Sequence, residues 1–217
     1  CKVQTSNVTP SFTTTLNPGV NNLSFDTDAN ITERTAYYHV NIIHDQMKSY
    51  FPAFTGLDWQ METNVDLTSS NCNAFFSGSS INFYAAGGGC NSIGQVGDVV
   101  YHEYGHGINS YYYSSFGQSF NNGAMGEGNA DIWGMSITQS PIVGSGFYTT
   151  NTDGIRRYDI NPKVYPQDIV GEVHADGEII AGAWWDTYLN LGDMNQMMAL
   201  FSETYNGFAA TAANGQE

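Results

Sequence analysis

The stretch GDVVYHEYGH at residues 97–106 decides how this chain folds and what chemistry it can support. Apolar residues recur within and around it at helical spacing, which predicts a helix over residues 95–110 with a bend or end at Gly107. Residues four positions apart on a helix lie one above the other, so His102 and His106 face the same direction. Two neutral imidazoles on one helix face can bind one Zn²⁺ ion. The stretch therefore predicts a metal site on a helix.

Glu103 lies beside the first histidine of this motif. In that position a carboxylate takes a proton from a water molecule rather than binding the metal. Zinc lowers the pKa of its water, and the carboxylate completes formation of the nucleophile, which is what amide hydrolysis at neutral pH requires. A lone motif of this kind also arises by chance on surface helices, so a further ligand must support it.

The third ligand is expected in GAMGEGNAD at residues 123–131, because a catalytic zinc has three protein ligands and one open position. A helix predicted over residues 123–138 places Glu127 and Asp131 one turn apart. Glu127 is the predicted zinc ligand, and Asp131 is predicted to accept the free ring N–H of a ligand histidine. A helix that carries these two carboxylates so soon after the histidines in the sequence favours a real metal site over a chance match.

Other patterns place strands in the first half of the chain and helices in the second. His39 and His44 lie on the first predicted helix with no carboxylate or cysteine at ligand spacing, so we interpret both as structural. The remaining predicted elements are helices over 32–51, 172–190 and 193–205, strands over 57–66 and 73–86 with a hairpin near residues 78–80, and an irregular arm or edge strands over 1–30.

Composition excludes two classes of partner. The 217 residues include 21 acidic and 6 basic side chains, a formal net charge of -15 at pH 7. So acidic a surface repels phosphate backbones, and we expect no nucleic-acid partner. The sequence has no run of about 18 apolar residues and no basic amphipathic segment, so we expect no membrane partner. Acidity, few lysines and abundant Gly, Ser, Thr and Asn favour a secreted, extracellular protein.

The three cysteines permit one disulfide bond and leave one sulfur over, with three alternative pairings. Cys72 and Cys90 flank the predicted hairpin, and the triple glycine at residues 87–89 gives the chain slack to bring the second sulfur back to the first. Cys1 precedes an arm without such a constraint. We therefore predict a Cys72–Cys90 bond.

With these motifs, the sequence resembles the thermolysin-like gluzincin peptidases, and among them the fungalysin family. The similarity runs from about Glu33 to Trp185. Residues 97–106 match the active-site helix of that family, and residues 123–134 match the helix that carries its glutamate ligand and the supporting aspartate. The resemblance implies that His102, His106 and Glu127 hold zinc and that Glu103 is the general base.

Three further segments carry implied roles. The sequence NAFF at residues 73–76 resembles the edge strand that holds the substrate peptide, which implies substrate contacts for Asn73 and Ala74. An I-R pair ending at Arg156 resembles the pair whose arginine hydrogen-bonds a substrate carbonyl. A V-H pair ending at His174 resembles the segment whose histidine stabilises the tetrahedral oxyanion.

The chain departs from the family pattern at two places. A tyrosine that assists the histidine corresponding to His174 aligns with Gln118, and the tyrosines at residues 111–113 are the alternatives. Asp98 matches a calcium ligand of thermolysin, which implies a Ca²⁺ site, although the acidic partner of that ligand aligns with Thr138.

The resemblance implies an α+β, thermolysin-like, two-lobed fold with the zinc helix at the floor of the cleft. We expect a β-rich lobe over residues 1–107, which includes this helix, and a mainly helical lobe over 108–217, together forming one catalytic domain. The implied function is zinc-dependent endopeptidase activity through a zinc-activated water, with an apolar preference after the scissile bond, on peptide or protein substrates, by a secreted monomer. The alternatives are a zinc aminopeptidase, whose G-x-M-E-N signature is missing, and an inactive peptidase-like binding domain.

Overall fold

The computed structural model describes residues 2–5 and 14–207, in which strands precede most of the helices. Cys1 and the remaining residues of the predicted N-terminal arm, 6–13, lie outside this part. The elements, in chain order, are β1 Lys2–Thr5, α1 Ile31–Tyr50, β2 Glu62–Leu67, β3 Ala74–Phe76, β4 Ser80–Tyr84, α2 Gly97–Ser114, α3 Gly123–Thr138, β5 Ile142–Val143, β6 Arg156–Arg157, α4 Val173–Leu191 and α5 Met194–Gly207.

Four strands form one sheet in the order β1-β2-β4-β3. The first two pairings are parallel, and β3 pairs antiparallel with β4 as the predicted hairpin. Gly78 turns this hairpin with a φ of +86°, a conformation that glycine adopts without steric cost. Buried Asn82 fastens the hairpin, because its Nδ2 donates to the Phe75 carbonyl at 3.1 Å. Strand β3 is left as an edge of the described sheet.

Helix α1 begins with a capping box, in which Asn30 accepts from the Glu33 N–H and Glu33 accepts from the Asn30 N–H. The helix packs behind α2 through the two histidines that the sequence marks as structural. His39 Nδ1 lies 2.6 Å from the Tyr101 hydroxyl, and His44 Nδ1 lies 2.9 Å from the Tyr104 hydroxyl. These contacts confirm a structural role for both histidines.

Glycines set how closely the later helices approach one another. A Cβ on Gly105 would lie 2.8 Å from the Ala130 Cα, so α2 and α3 meet backbone to backbone. A Cβ on Gly177 would lie 2.7 Å from the Ala124 carbonyl oxygen, so α4 crosses α3 equally closely. Neither approach accommodates a larger residue. The two crossings bring one face each of α2, α3 and α4 to a common point.

The prediction that the active-site helix ends at Gly107 is wrong, and the alternative of a bend there stays a prediction. Helix α2 continues for seven residues beyond it, to Ser114. Tertiary packing overrides the low helix propensity of glycine, since Ile108, Tyr112 and Tyr113 are all buried. The predicted boundary between two lobes falls inside this helix, and that division stays a prediction.

An aromatic cluster packs α5 against α1, α2 and α3. Trp133, which is fully buried on α3, contacts Phe201 and Tyr205 of α5 with ring centroids 5.9 and 6.3 Å apart. Phe51 and Tyr112 complete the cluster. Burial of such large side chains supplies most of the stabilisation that holds the helices together. Among the described helices, none combines the length and the apolar character needed to cross a membrane.

The predicted disulfide is present between Cys72 and Cys90. It joins the residue just before Asn73 and strand β3 to the loop that follows β4. Loss of the bond in a Cys72→Ser/Cys90→Ser variant is expected to lower the free energy of unfolding by about 3 kcal/mol. The reason is that a disulfide closing a loop of this size restricts the conformations of the unfolded chain. We also expect KM for peptides to rise, since the bond anchors the start of the edge strand.

Urea unfolding with and without a thiol reductant checks this expectation. Reduction is expected to destabilise the unmodified protein and to leave the double-serine variant unchanged. Equal sensitivity of both proteins to the reductant would contradict the expectation.

Candidate active site

Three side chains that the sequence marks as metal ligands meet where α2 crosses α3. His102 Nε2 lies 3.1 Å from His106 Nε2 and 3.2 Å from one carboxylate oxygen of Glu127. The other carboxylate oxygen lies 3.5 Å from His106 Nε2. Tetrahedral coordination with bonds of about 2.0–2.1 Å would place ligand atoms roughly 3.3 Å apart. The observed spacings match that arrangement.

The donor set fits a zinc ion in its chemistry as well as in its spacing. Glu127 Oε2 is buried and has no hydrogen-bond partner. A buried carboxylate oxygen left in this way is costly unless a cation compensates it. His102, His106 and Glu127 are also the group with metal-ligand geometry within residues 2–5 and 14–207. Two imidazoles and one carboxylate form a common catalytic zinc set.

Asp131 lies behind His102 and receives hydrogen bonds from three side chains. His102 Nδ1 lies 2.6 Å from Asp131 Oδ1, which leaves Nε2 directed towards His106 and Glu127. Arg156 donates from Nε and Nη2 at 2.6 and 2.8 Å, and the Tyr158 hydroxyl donates to Oδ2. Burial disfavours the charged carboxylate, but Arg156 and His102 outweigh burial and lower its pKa well below the usual range.

The two histidines differ in electrostatic environment. Burial by itself would lower the pKa of His102, but the carboxylates of Asp131 and Glu127 outweigh it and raise the pKa to about 10. For His106, burial and the neighbouring charge of His102 lower the pKa to about 4. At neutral pH His106 is therefore a neutral imidazole, the form that binds a metal, whereas His102 must lose its Nε2 proton to bind one. Glu127 is ionised, because its close contact with His102 and the charges of the neighbouring histidines outweigh burial and lower its pKa to about 2.

Glu103 is buried and lines the floor of the cleft beside the candidate ligands. Burial raises the pKa of this carboxyl to about 7, with the Glu127 carboxylate adding to the shift and His102 opposing it. A carboxyl with a pKa near neutrality both accepts and returns a proton at low cost.

The cleft has a volume of about 670 Å³. Strand β3 forms one wall, and the loop before α3 forms another. The lining residues that bear on the site, besides Glu103 and the candidate ligands, are Asn73, Ala74, Phe75, Phe76, Asn109, Gln118, Phe120 and His174.

His174 enters the cleft from the first turn of α4. Its Nε2 lies 3.5 Å from Glu127 Oε2, and its Nδ1 lies 2.7 Å from Glu172 Oε1. Glu172 also caps α4 by accepting from the backbone N–H groups of His174 and Ala175. One carboxylate thus fixes both the start of the helix and the orientation of the imidazole.

Of the other side chains that the sequence predicts to take part in the reaction, only some line the cleft. Gln118 lines the cleft, whereas the Tyr111 hydroxyl donates to Gly78 and the Tyr112 hydroxyl to Asn206. The Arg156 side chain is 10% exposed and lies against Asp131, so its contact with substrate stays a prediction.

Asp98 is buried and accepts backbone N–H bonds from Gly144 at 2.8 Å and Ser145 at 3.3 Å. Burial raises its pKa. Calcium takes six to eight oxygen ligands, and the carboxylate here holds a loop through Oδ2 instead. Within the described residues, Asp98 belongs to no group of three or more His, Cys, Asp or Glu side chains with metal-ligand spacing, and the expected Ca²⁺ site stays a prediction.

Two residues that support the site are missing from the sequence-based prediction. Tyr158 reaches Asp131 from the residue after β6, and Glu172 holds His174. An acidic residue two positions before a candidate histidine is a capping signal that points to Glu172. Tyr158 has no local signal, because the pairing of β5 with β6 brings it to Asp131.

The chain was compared with known proteins. The sequence profile of the fungalysin metallopeptidases matches residues 93–214, more than half of the chain. No protein with a curated function matches the sequence. Among solved structures, the chain is similar to the precursor of protealysin, a metalloproteinase from Serratia proteamaculans. The TM-score is 0.74 at 17% identity, over 98% of this chain and 76% of that one.

The structural similarity confirms the predicted α+β, thermolysin-like fold. The profile match confirms the family resemblance drawn from the sequence motifs and identifies a metalloprotease. The chain belongs to the fungalysin metallopeptidase family.

Proposed function

We propose that this protein is a zinc-dependent endopeptidase that hydrolyses internal peptide bonds. The observation that carries the proposal is the convergence of His102, His106 and Glu127 beside buried Glu103, at the floor of a cleft walled by an edge strand. His102, His106 and Glu127 would hold the zinc ion. When bound there, zinc lowers the pKa of a water molecule and polarises a carbonyl group.

Glu103 acts as the general base in this proposal. It takes a proton from the attacking water and returns one to the amide nitrogen as the peptide bond breaks. In this proposal His174 carries a proton on both ring nitrogens, so it donates from Nδ1 to Glu172 and from Nε2 to the carbonyl oxygen as negative charge develops there. Asp131 keeps His102 in the tautomer and orientation that a metal requires.

Strand β3 supports an extended substrate bound through its main chain. The edge of β3 away from β4 has no strand partner in the described sheet, so a peptide can add to it by backbone hydrogen bonds. Asn73 and Ala74 line the cleft at the start of this edge and are the proposed substrate contacts. The aromatic side chains of Phe75, Phe76 and Phe120 favour apolar substrate residues, and we retain the expected preference after the scissile bond.

An endopeptidase is favoured over an aminopeptidase by the charges in the cleft. The acidic residues that line it, among those described, are Glu103 and Glu127, and the proposal commits both to the reaction centre. No other lining carboxylate is present there to bind a free N-terminal amine. The intact set of ligands and base argues against an inactive binding domain.

Cleavage of a peptide acetylated at its N-terminus and amidated at its C-terminus tests the proposal. We expect internal cuts that stop on addition of a zinc chelator and return with added Zn²⁺. An aminopeptidase would cut only the unblocked version of the same peptide. An inactive domain would cut neither, and either outcome would overturn the proposal.

His174 is expected to act on the transition state more than on substrate binding. His174→Ala should lower kcat by about a hundredfold to a thousandfold with little change in KM, the usual effect of losing one oxyanion donor. Glu172→Ala should cause a smaller loss, because it frees the imidazole without removing it. Steady-state kinetics on one peptide decide the matter, and a large rise in KM at constant kcat would exclude this role.

Fungalysin-type proteases are typically secreted, and we propose the same location for this protein. The Cys72–Cys90 bond supports it, because disulfides persist in oxidising compartments. The proposed partners are peptide or protein substrates, and the proposed state is a monomer.

A further inference from the structure

Asn109 is a buried polar residue at the edge of the cleft, and the reaction does not use it directly. It lies on α2 three residues after His106 and is 3% exposed. Its Nδ2 donates to the Gly126 carbonyl on α3 at 3.2 Å, and its Oδ1 accepts from the Tyr205 hydroxyl on α5 at 2.5 Å. Gly126 directly precedes Glu127, so Asn109 bridges the two helices that carry the candidate ligands.

These side chains form a series of hydrogen bonds, and the chemistry of each group determines which partner donates and which accepts. Indole N–H is only a donor, so Tyr205 accepts from Trp133 Nε1 at 2.9 Å. The hydroxyl proton of Tyr205 is then directed to Asn109 Oδ1. A carbonyl oxygen only accepts, so the Asn109 amide must present its NH₂ group to Gly126. Any other orientation of the amide would leave buried groups without partners.

We propose that Asn109 and Tyr205 are positioning residues for the zinc ligand Glu127. Asn109 ties the helix of His106 to the helix of Glu127 by holding the carbonyl just before Glu127. Tyr205 holds the Asn109 amide in the orientation that makes this bond. Helix α5, whose Tyr205 lies 96 positions along the chain from Asn109, thereby contributes to the geometry of the metal site.

The inference rests on the proposed function, since it takes His102, His106 and Glu127 to hold zinc. Tyr205→Phe removes the hydroxyl, with its bonds to Asn109, Asn129 and Trp133, and leaves the ring in the aromatic cluster. Tyr112→Phe is the matched control, because the Tyr112 hydroxyl also joins α2 to α5, by donating to Asn206 Oδ1 at 2.7 Å, without a hydrogen bond to the described α3 backbone. Asn109→Leu removes both hydrogen bonds of Asn109 at similar volume.

Zinc affinity, measured by competition with a chromophoric chelator on the folded, purified protein, is the test. Tyr205→Phe is expected to weaken zinc binding about tenfold, and Asn109→Leu between about tenfold and a hundredfold. Tyr112→Phe should bind zinc as the unmodified protein does. Thermal unfolding of the metal-free and zinc-bound forms separates the two effects, because the zinc-dependent rise in Tm should shrink in Tyr205→Phe and not in Tyr112→Phe.

A solely structural role would lower the Tm of both forms equally and leave zinc affinity within twofold of the unmodified protein, which would overturn the inference. Tyr205→Phe keeps the test decisive if Asn109→Leu does not fold. Absence of stoichiometric zinc in the unmodified protein would instead overturn the proposed function, so the two failures are distinguishable.

Discussion

Replacing Glu103 by glutamine is expected to lower kcat/KM by at least about a thousandfold while the protein retains one zinc per chain. Glutamine keeps the size and the hydrogen-bonding reach of the side chain but cannot accept a proton from the attacking water. A positioned general base contributes about 10²–10⁴ in rate, and a thousandfold loss corresponds to about 4 kcal/mol in the activation free energy. Glu103 is buried beside the candidate ligands without being one of them, so its loss should spare metal binding.

Metal analysis together with steady-state cleavage of a blocked peptide measures both parts of this result. His102→Ala and Glu127→Ala are the contrasting variants, because each removes a ligand and should therefore lose zinc as well as activity. Retained activity in Glu103→Gln, within tenfold of the unmodified protein, would refute the proposed mechanism.

Replacing Asp131 by alanine is expected to cost about 3–5 kcal/mol in the free energy of unfolding and to weaken zinc binding about 10- to 100-fold. The stability loss follows from burial: Arg156 and Tyr158 would keep their polar groups in the interior without the carboxylate that pairs with them. The loss of affinity follows from His102, whose Nδ1 would no longer be held at 2.6 Å. Urea unfolding and chelator competition measure the two effects separately.

Two adjacent arginines provide an internal comparison for this expectation. Arg156→Ala breaks the buried pair with Asp131 and should destabilise the protein by several kcal/mol. Arg157→Ala breaks an exposed pair with Asp159 and should cost at most about 1 kcal/mol. Equal effects of the two substitutions would show that burial of the Asp131 cluster has no energetic consequence.

The contacts that Asp131 makes give a physical reason for keeping this charged cluster in the interior. A buried ion pair contributes little net stability by itself, because desolvation offsets attraction. Here the carboxylate also fixes the tautomer of His102, and the short β5–β6 pairing delivers Arg156 and Tyr158 to it. The cluster thus links the metal site to a segment 25 residues along the chain from Asp131.

Where the local sequence contains both start and stop signals, the predicted first and last residues of a helix agree with the structure to within about two residues. The helix of Glu127 runs from Gly123 to Thr138 as the sequence indicates, and α1 begins after the Asn30 capping box. The predicted end of α2 at Gly107 is wrong, because the aromatic packing that extends the helix involves residues far along the chain. The Cys72–Cys90 pairing was predicted correctly, since the hairpin between the cysteines is a local feature.

The candidate ligands and the base follow from the sequence, because helical periodicity places His102 and His106 on one helix face and Glu127 and Asp131 on another. The sequence also identifies the family, because the motifs of the family are residues at fixed, short spacings along the chain. The contacts around them depend on tertiary packing: the Tyr158 hydroxyl on Asp131, and the hydrogen bonds from Tyr205 through Asn109 to Gly126. These contacts join residues on different elements, and the close crossings at Gly105 and Gly177 that create them depend on how whole helices pack, which no local pattern encodes.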